Sequence, residues 1–217
     1  MGIEEMRDWA EALEPYELFN LDEVQDMFPA MSRTAVIAGL GRLCNDDDPL
    51  MCRPARGWYC RRIQDAPYPV PVPPMVYPHL GWRIAGPGAG MTGPYVANRI
   101  HWSTQVPPRI WIAVVGRPPR TPVPIVFTGR SNKRRAELTM WEASLLEAIR
   151  DFDTWSEITW PKALDKHADY LSRDWIGAIR SELFVEVADA ERGQGKLFRQ
   201  RCRELAAIAG PTGIPAR

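Results

Sequence analysis

The sequence predicts an α+β protein: an N-terminal helix and hairpin module, then a mixed α/β second domain with a helical C-terminal tail. Three observations carry this expectation. Within residues 18–62, two short helical patterns joined by a tight turn run straight into a hairpin pattern. Six prolines between positions 67 and 78 then interrupt both helix and sheet. Beyond them, apolar runs within about 109–128 read as strands, and helical periodicity occupies about 139–209.

The bulk numbers are those of an ordinary globular chain. Of 217 residues, 45% are hydrophobic and 25% charged, a length that suits one large domain or two small ones. No run approaches the roughly 20 apolar residues needed to span a bilayer. The start, Met1 to Asp8, is acidic and amphipathic, without the basic end and apolar centre of a signal peptide. Gly2 follows Met1, but Met6 stands where myristoylation needs Ser or Thr. A cytoplasmic location without a membrane partner is the expectation.

Ile3, Met6, Trp9, Ala10 and Leu13 recur at three- and four-residue spacing, so a first helix is expected before Pro15. Asn20 is a cap candidate for a short helix, Asp22 to Phe28, whose buried face is expected to be Leu21, Val24, Met27 and Phe28. Pro29 stops it. Ser32 then caps a helix from Arg33 to Leu43, with Val36, Leu40 and Leu43 inward. Its outer side carries Arg33, Thr34, Ile37, Ala38 and Gly41. Two short helices with a small, polar outer face on the second are the helix-turn-helix layout.

The next residues add a hairpin. Leu50 to Arg53 and Trp58 to Arg61 read as strands around a Pro54-Ala55-Arg56-Gly57 turn, which sets Cys52 opposite Cys60 and Arg53 opposite Tyr59. A hairpin directly after such a helix is a wing. The predicted domains are therefore a winged helix-turn-helix over 1–62, a Pro-rich linker over 63–77, and an α+β domain over 78–217. The apolar residues among those prolines, Tyr68 to Tyr77, fit a rigid arm packed on the second domain equally well.

In the second domain a helix is expected from Gly93 to His101. Strands are expected at Ile110–Val115 and Val123–Phe127, joined by a hairpin loop through Gly116 to Arg120. Further helices are expected at Met140–Arg150, Pro161–Tyr170, Trp175–Asp189 and Lys196–Ala209.

Charge is unevenly distributed beneath a net charge of zero. Residues 1–30 hold nine acids and one base, residues 31–135 fifteen bases and four acids, and residues 136–217 eleven bases and fourteen acids. The middle of the chain therefore carries the positive field that a polyanion partner needs. A helix fits the major groove, where its first residues reach base edges, while arginines on a wing reach phosphates. The candidate DNA-binding residues are Ser32, Arg33, Thr34, Ile37, Ala38, Arg42, Arg53, Arg56, Arg61 and Arg62. The acids Glu17, Asp22, Glu23 and Asp26 are then required to face away from the duplex. Arg130, Lys133, Arg134 and Arg135 form a second candidate basic patch, or a solvated loop.

Catalytic patterns are missing from the sequence. Gly86-Pro87-Gly88-Ala89-Gly90 lacks the Gly-Lys-Ser/Thr ending of a phosphate loop and reads as a plain loop. His79, His101 and His167 have no nucleophile or acid in a catalytic order, and the four cysteines show no zinc-ligand spacing. No catalytic residue, metal or cofactor is expected. The cysteines read as structural thiols, with a functional disulfide or metal site as the alternative.

The order of these features resembles the AbiEi-type antitoxins. These are transcriptional repressor partners of nucleotidyltransferase toxins in type IV toxin–antitoxin (abortive infection) systems. Arg56-Gly57-Trp58-Tyr59 stands where that family closes its wing, and Thr104-Gln105-Val106-Pro107 where it carries a Thr-Gln-x-Pro-like stretch. Glu142 to Glu147 is similar to the helix after its basic run. The resemblance covers roughly residues 15–150; the tail after Asp153 has no counterpart, and the segment before Thr104 is more broken by Gly and Pro. The resemblance implies an N-terminal domain that binds inverted repeats in the chain's own promoter, and a C-terminal domain that supports repression and antitoxin action. The expected partners are a double-stranded inverted-repeat operator, bound as a monomer or a DNA-induced dimer, and a nucleotidyltransferase-like toxin. Two other readings stand beside this one: a winged-helix module that neutralises a protein partner without touching DNA, and an enzyme acting on nucleic acid.

Overall fold

The computed structural model describes residues 2–62, 72, 76–120, 124–172 and 179–209. Most of the Pro-rich stretch, Val123 and the start of the helix expected at Trp175 lie outside these residues. The chain is mixed α+β and divides into two units, Met1–Leu80 and Gly81–Arg217.

The first unit opens with α1 (Ile3–Ala12), β1 (Leu18–Asn20), α2 (Leu21–Met27) and α3 (Arg33–Asn45). Strands β2 (Met51–Ala55) and β3 (Trp58–Arg61) follow, and the antiparallel sheet runs in the order β1-β3-β2. Asn20 caps α2: its side chain accepts from the N–H groups of Asp22 and Glu23, while Glu23 accepts from the Asn20 N–H at 2.8 Å. Ser32 Oγ accepts from the Ala35 N–H and starts α3. Met6 and Ala10 of α1, Val24 of α2, Val36, Leu40 and Leu43 of α3, and Leu50, Met51 and Tyr59 of the hairpin region form one core. The Trp9 ring meets Phe19 and Phe28 edge-on at 5.4 and 5.6 Å. Met27, expected inside, is 46% exposed.

Two details of this sheet differ from the expectation. Strand β1 is an unforeseen third member, with Leu18 opposite Cys60 and Asn20 opposite Trp58. The hairpin is also tighter than predicted, since Pro54 and Ala55 belong to β2 and only Arg56 and Gly57 turn the chain, Gly57 at φ +76°. Cys52 pairs with Cys60 as expected, but the register shifts before Ala55 pairs with Trp58. Pro54 has no N–H for the ladder, and an irregularity there absorbs it. Arg53 is therefore not the Cα partner of Tyr59.

The helix α4 (Val76–Ala85) carries the division between the units at Leu80 and Gly81. The second unit continues with β4 (Gly90–Met91), α5 (Gly93–Arg99), β5 (Ile110–Val115) and β6 (Ile125–Arg130). A 3-10 turn at Lys133–Glu137 leads to α6 (Met140–Arg150), α7 (Phe152–Trp155), α8 (Trp160–Ser172), α9 (Ser181–Asp189) and α10 (Lys196–Ala209). Helix α6 is the centre: Ala143, Leu145, Leu146, Ala148 and Ile149 are all buried. Phe152, Phe184, Val187, Phe198, Cys202 and Leu205 join the same core.

The β5 and β6 pair is parallel, Ile110 opposite Ile125 and Val115 opposite Arg130. The expected hairpin through Gly116 to Arg120 is thus corrected, because the chain must return to the start of β5 before β6 begins. The Gly-rich stretch is a close-contact element. A Cβ on Gly88 would lie 2.4 Å from the Arg135 carbonyl oxygen, and one on Gly90 would lie 2.5 Å from the Ala143 backbone.

Candidate nucleic-acid interface

Helix α3 has two faces with different tasks. Val36, Gly39, Leu40 and Leu43 are buried, and α1 covers this side so closely that a Cβ on Gly39 would lie 2.6 Å from the Met6 sulfur. Ser32, Arg33, Thr34, Ile37, Ala38 and Arg42 are all exposed on the other side. Ile37 keeps 45% of its surface in solvent, and the Cβ direction of Gly41 is open. The first turn of α3 contains no acid, so its partial positive charge is not offset within the turn. Asp46, Asp47 and Asp48 follow the opposite end of the helix.

The hairpin adds cations of three kinds. Arg56 is exposed at the turn. Arg53 is exposed on β2, its guanidinium carbon 5.9 Å from the centre of the Tyr59 ring. Arg62 is half-buried; its N–H donates to the Leu50 carbonyl at 2.9 Å, and its charge acts on the Cys52 and Cys44 thiols.

Arg61 corrects the sequence reading. Its Nη1 donates to the carbonyl oxygen of Leu13, and its own carbonyl accepts from the Tyr16 N–H at 3.0 Å. A helix end needs partners for its last carbonyls, and Arg61 supplies one for α1. In the structure it clasps the end of α1 to β3.

The acids of α2 do not all turn away either. Asp22 Oδ1 lies 2.6 Å from Arg33 Nη1, at the start of the face just described.

The second basic patch is overturned. Arg135 is fully buried, and its Nη1 lies 2.7 Å from Glu147 Oε1 and 3.3 Å from Glu191 Oε1. Arg130 donates from Nε to Glu147 at 2.9 Å, and its Nη2 is also paired with Glu147. Arg150 closes the group by pairing with Glu191. Burial works to raise the Glu147 carboxyl, but the hydrogen bonds from Arg130 and the charges of Arg135, Arg130 and Arg150 outweigh it and hold the group at about 2. Arg134 is exposed but engaged by Glu186 at 2.8 Å and Glu137 at 3.2 Å. Of the four residues, Arg130, Arg134 and Arg135 are thus matched to carboxylates; Lys133 is exposed. These acids lie up to 56 residues away in sequence, so the basic run gave no sign of them.

The Thr104-Gln105-Val106-Pro107 stretch belongs to the second unit. Glu157 fastens it, accepting from Ser103 Oγ at 2.9 Å and from the Thr104 N–H and hydroxyl at 2.8 Å each, while Val106 stays 82% exposed. Among the described residues no helix is long and apolar enough to cross a membrane, and no three His, Cys, Asp or Glu gather where they could share a metal ion.

No protein-family model matches the chain, and no curated protein matches it. Among solved structures, the RV2827C protein from Mycobacterium tuberculosis is similar at 14% identity and a TM-score of 0.44, over 95% of this chain and 76% of that one. A likeness at this distance transfers no property from one protein to the other.

Proposed function

We propose that residues 1–62 are a winged helix-turn-helix module that binds duplex DNA, and that the chain is a sequence-specific transcriptional repressor. In this reading α3 is the recognition helix. Thr34, Ile37, Ala38 and Arg42, with Arg33 once it leaves Asp22, face base edges, and Arg53 and Arg56 on the wing hold phosphates. Ser32 serves mainly as the cap that aims the helix start. The observation that carries the reading is the division of α3 itself: one face is consumed by the core of its own unit, and the other is left exposed beside an arginine-bearing hairpin.

The finer assignment, an AbiEi-like antitoxin that represses its own operon, rests on the residue resemblance described above. It adds a nucleotidyltransferase-like toxin as partner, an inverted-repeat operator and a cytoplasmic setting. The test is titration of the purified chain with the duplex immediately upstream of its own reading frame, against a shuffled duplex of equal composition at physiological salt. A specific site is expected to bind at least about a thousandfold tighter than the shuffled one. Equal, weak binding to both would favour the protein-interaction alternative. The exposed Ile37 and Met27 side chains would then serve a protein partner.

A further inference from the structure

The hairpin of the first unit holds two thiols in register. Cys52 on β2 and Cys60 on β3 are Cα partners across the antiparallel pair. Antiparallel partners have Cα atoms about 4.5–5.5 Å apart, inside the span a disulfide bridges without backbone movement. The sulfur atoms are 2.9 Å apart, so less than about an ångström of movement brings them to the roughly 2.05 Å of an S–S bond. The two sites differ in access: Cys52 is partly buried and Cys60 is fully buried.

We propose that Cys52 and Cys60 form a reversible dithiol oxidised by hydroperoxides. Cys52 is the attacking sulfur and Cys60 the resolving one. The Cys52 thiolate attacks the terminal peroxide oxygen; an S–O bond forms, the O–O bond breaks, and an alcohol or water leaves. The resulting sulfenic acid is attacked by the Cys60 sulfur, which gives up its proton as water departs. Two thiols and one hydroperoxide thus give one disulfide, one alcohol or water, and one water, the sulfurs losing two electrons and the peroxide gaining them. Local chemistry supports these roles. The hydrogen bond between the two sulfurs and the charge of Arg62 lower the Cys52 thiol against the opposing effect of its partial burial, while that hydrogen bond and burial raise Cys60. Cys44 is also near, but burial pushes its thiol up to about 11, which makes it the poorer nucleophile. This inference stands whether or not the hairpin touches DNA.

The test exposes the intact reduced chain to a few equivalents of hydrogen peroxide, traps free thiols with N-ethylmaleimide, and maps tryptic peptides. The Leu43–Arg56 peptide holds both Cys44 and Cys52, so fragmentation must place the link. The expected product is a Cys52–Cys60 link within one chain, with Cys44 and Cys202 alkylated, and full reversal by a thiol reductant. In Cys60→Ser, Cys52 is expected to stall as a sulfenic acid captured by a cyclic 1,3-diketone, and Cys52→Ser is expected to capture none. Four alkylated cysteines after peroxide would overturn the proposal. So would a link through Cys44, or Cys52 over-oxidised to sulfinic acid with Cys60 still free. The peptide map of the native chain decides the matter even if Cys60→Ser does not fold.

Discussion

Asp22 holds Arg33 by an ion pair of 2.6 Å that joins the first turn of α2 to the first turn of α3. Both side chains are more than half exposed, so the pair contributes little to stability and is easily given up to a stronger partner. A DNA phosphate or a guanine edge is such a partner, but the carboxylate left behind would repel the duplex.

Removing that carboxylate therefore separates folding from binding. Asp22→Asn keeps the Asn20 cap, which engages the backbone N–H of Asp22 and not its carboxylate. It is expected to tighten binding to upstream DNA severalfold while leaving the melting temperature nearly unchanged. Weaker binding would show that Asp22 positions Arg33 for contact and does not compete for it.

The hairpin arginines are expected to separate into two classes. Arg56→Ala should weaken binding to every DNA sequence and reduce the slope of log K against log salt by about one unit, as loss of one phosphate contact does. Arg61→Ala should leave that slope alone and instead cost about 1–2 kcal/mol of stability, because the Leu13 carbonyl loses its charged donor. Salt titrations and urea melts on the two variants check the division, and a reversed pattern would return Arg61 to the interface.

Two glycines make a contrasting pair. Gly90→Ala sets a methyl 2.5 Å from the Ala143 backbone, in a contact that no side-chain rotation relieves. It is expected to destabilise the second unit by about 3 kcal/mol or more. Gly41→Ala points into open space on a helix and is expected to stabilise α3 by about 0.5–1 kcal/mol. Urea unfolding reads both signs; a harmless Gly90→Ala would show that the packing of β4 on α6 is looser than described.

His167 sets an acid limit. The side chain is 2% exposed, and burial lowers its pKa from 6.5 to about 4, so it is neutral in the fold and more readily protonated in the unfolded chain. Unfolding then takes up a proton between pH 6.5 and 4, and stability falls as pH is lowered through that window. His167→Leu is expected to lessen the drop in melting temperature between pH 7 and pH 5. An identical drop in the native chain and the variant would remove His167 as its source. Glu147 acts further down: its lowered carboxyl is an asset above about 4.5 that is lost as pH falls towards 2.

What the sequence disclosed follows the range of the interactions. Val36, Leu40 and Leu43 repeat at helical spacing, so both faces of α3 were legible, and Ser32 announced its start. Ile110 to Val115 was legible as a buried strand because it is a long β-branched run. Three residues are too few for an alternation to show, and β1 is a strand only through its pairing with β3, about forty residues on. The parallel partner of β5 depends on the path of the connection, which composition does not record. Arg130 to Arg135 looked like a surface patch because Glu147 and Glu191 are remote in sequence. In the candidate interface, the outer face and Arg56 were readable, whereas Arg61 and Asp22 took roles set by tertiary neighbours.

The most direct test of the central claim is dimethyl sulfate protection on the duplex upstream of the chain's own reading frame. Guanine N7 lies in the major groove, so a helix seated there shields it from methylation. The native chain is expected to protect guanines in two half-sites of an inverted repeat, and Ile37→Glu, with an unchanged melting temperature, to protect none. No protected N7 with the native chain, or the same protection with Ile37→Glu, would contradict the placement of α3 in the groove.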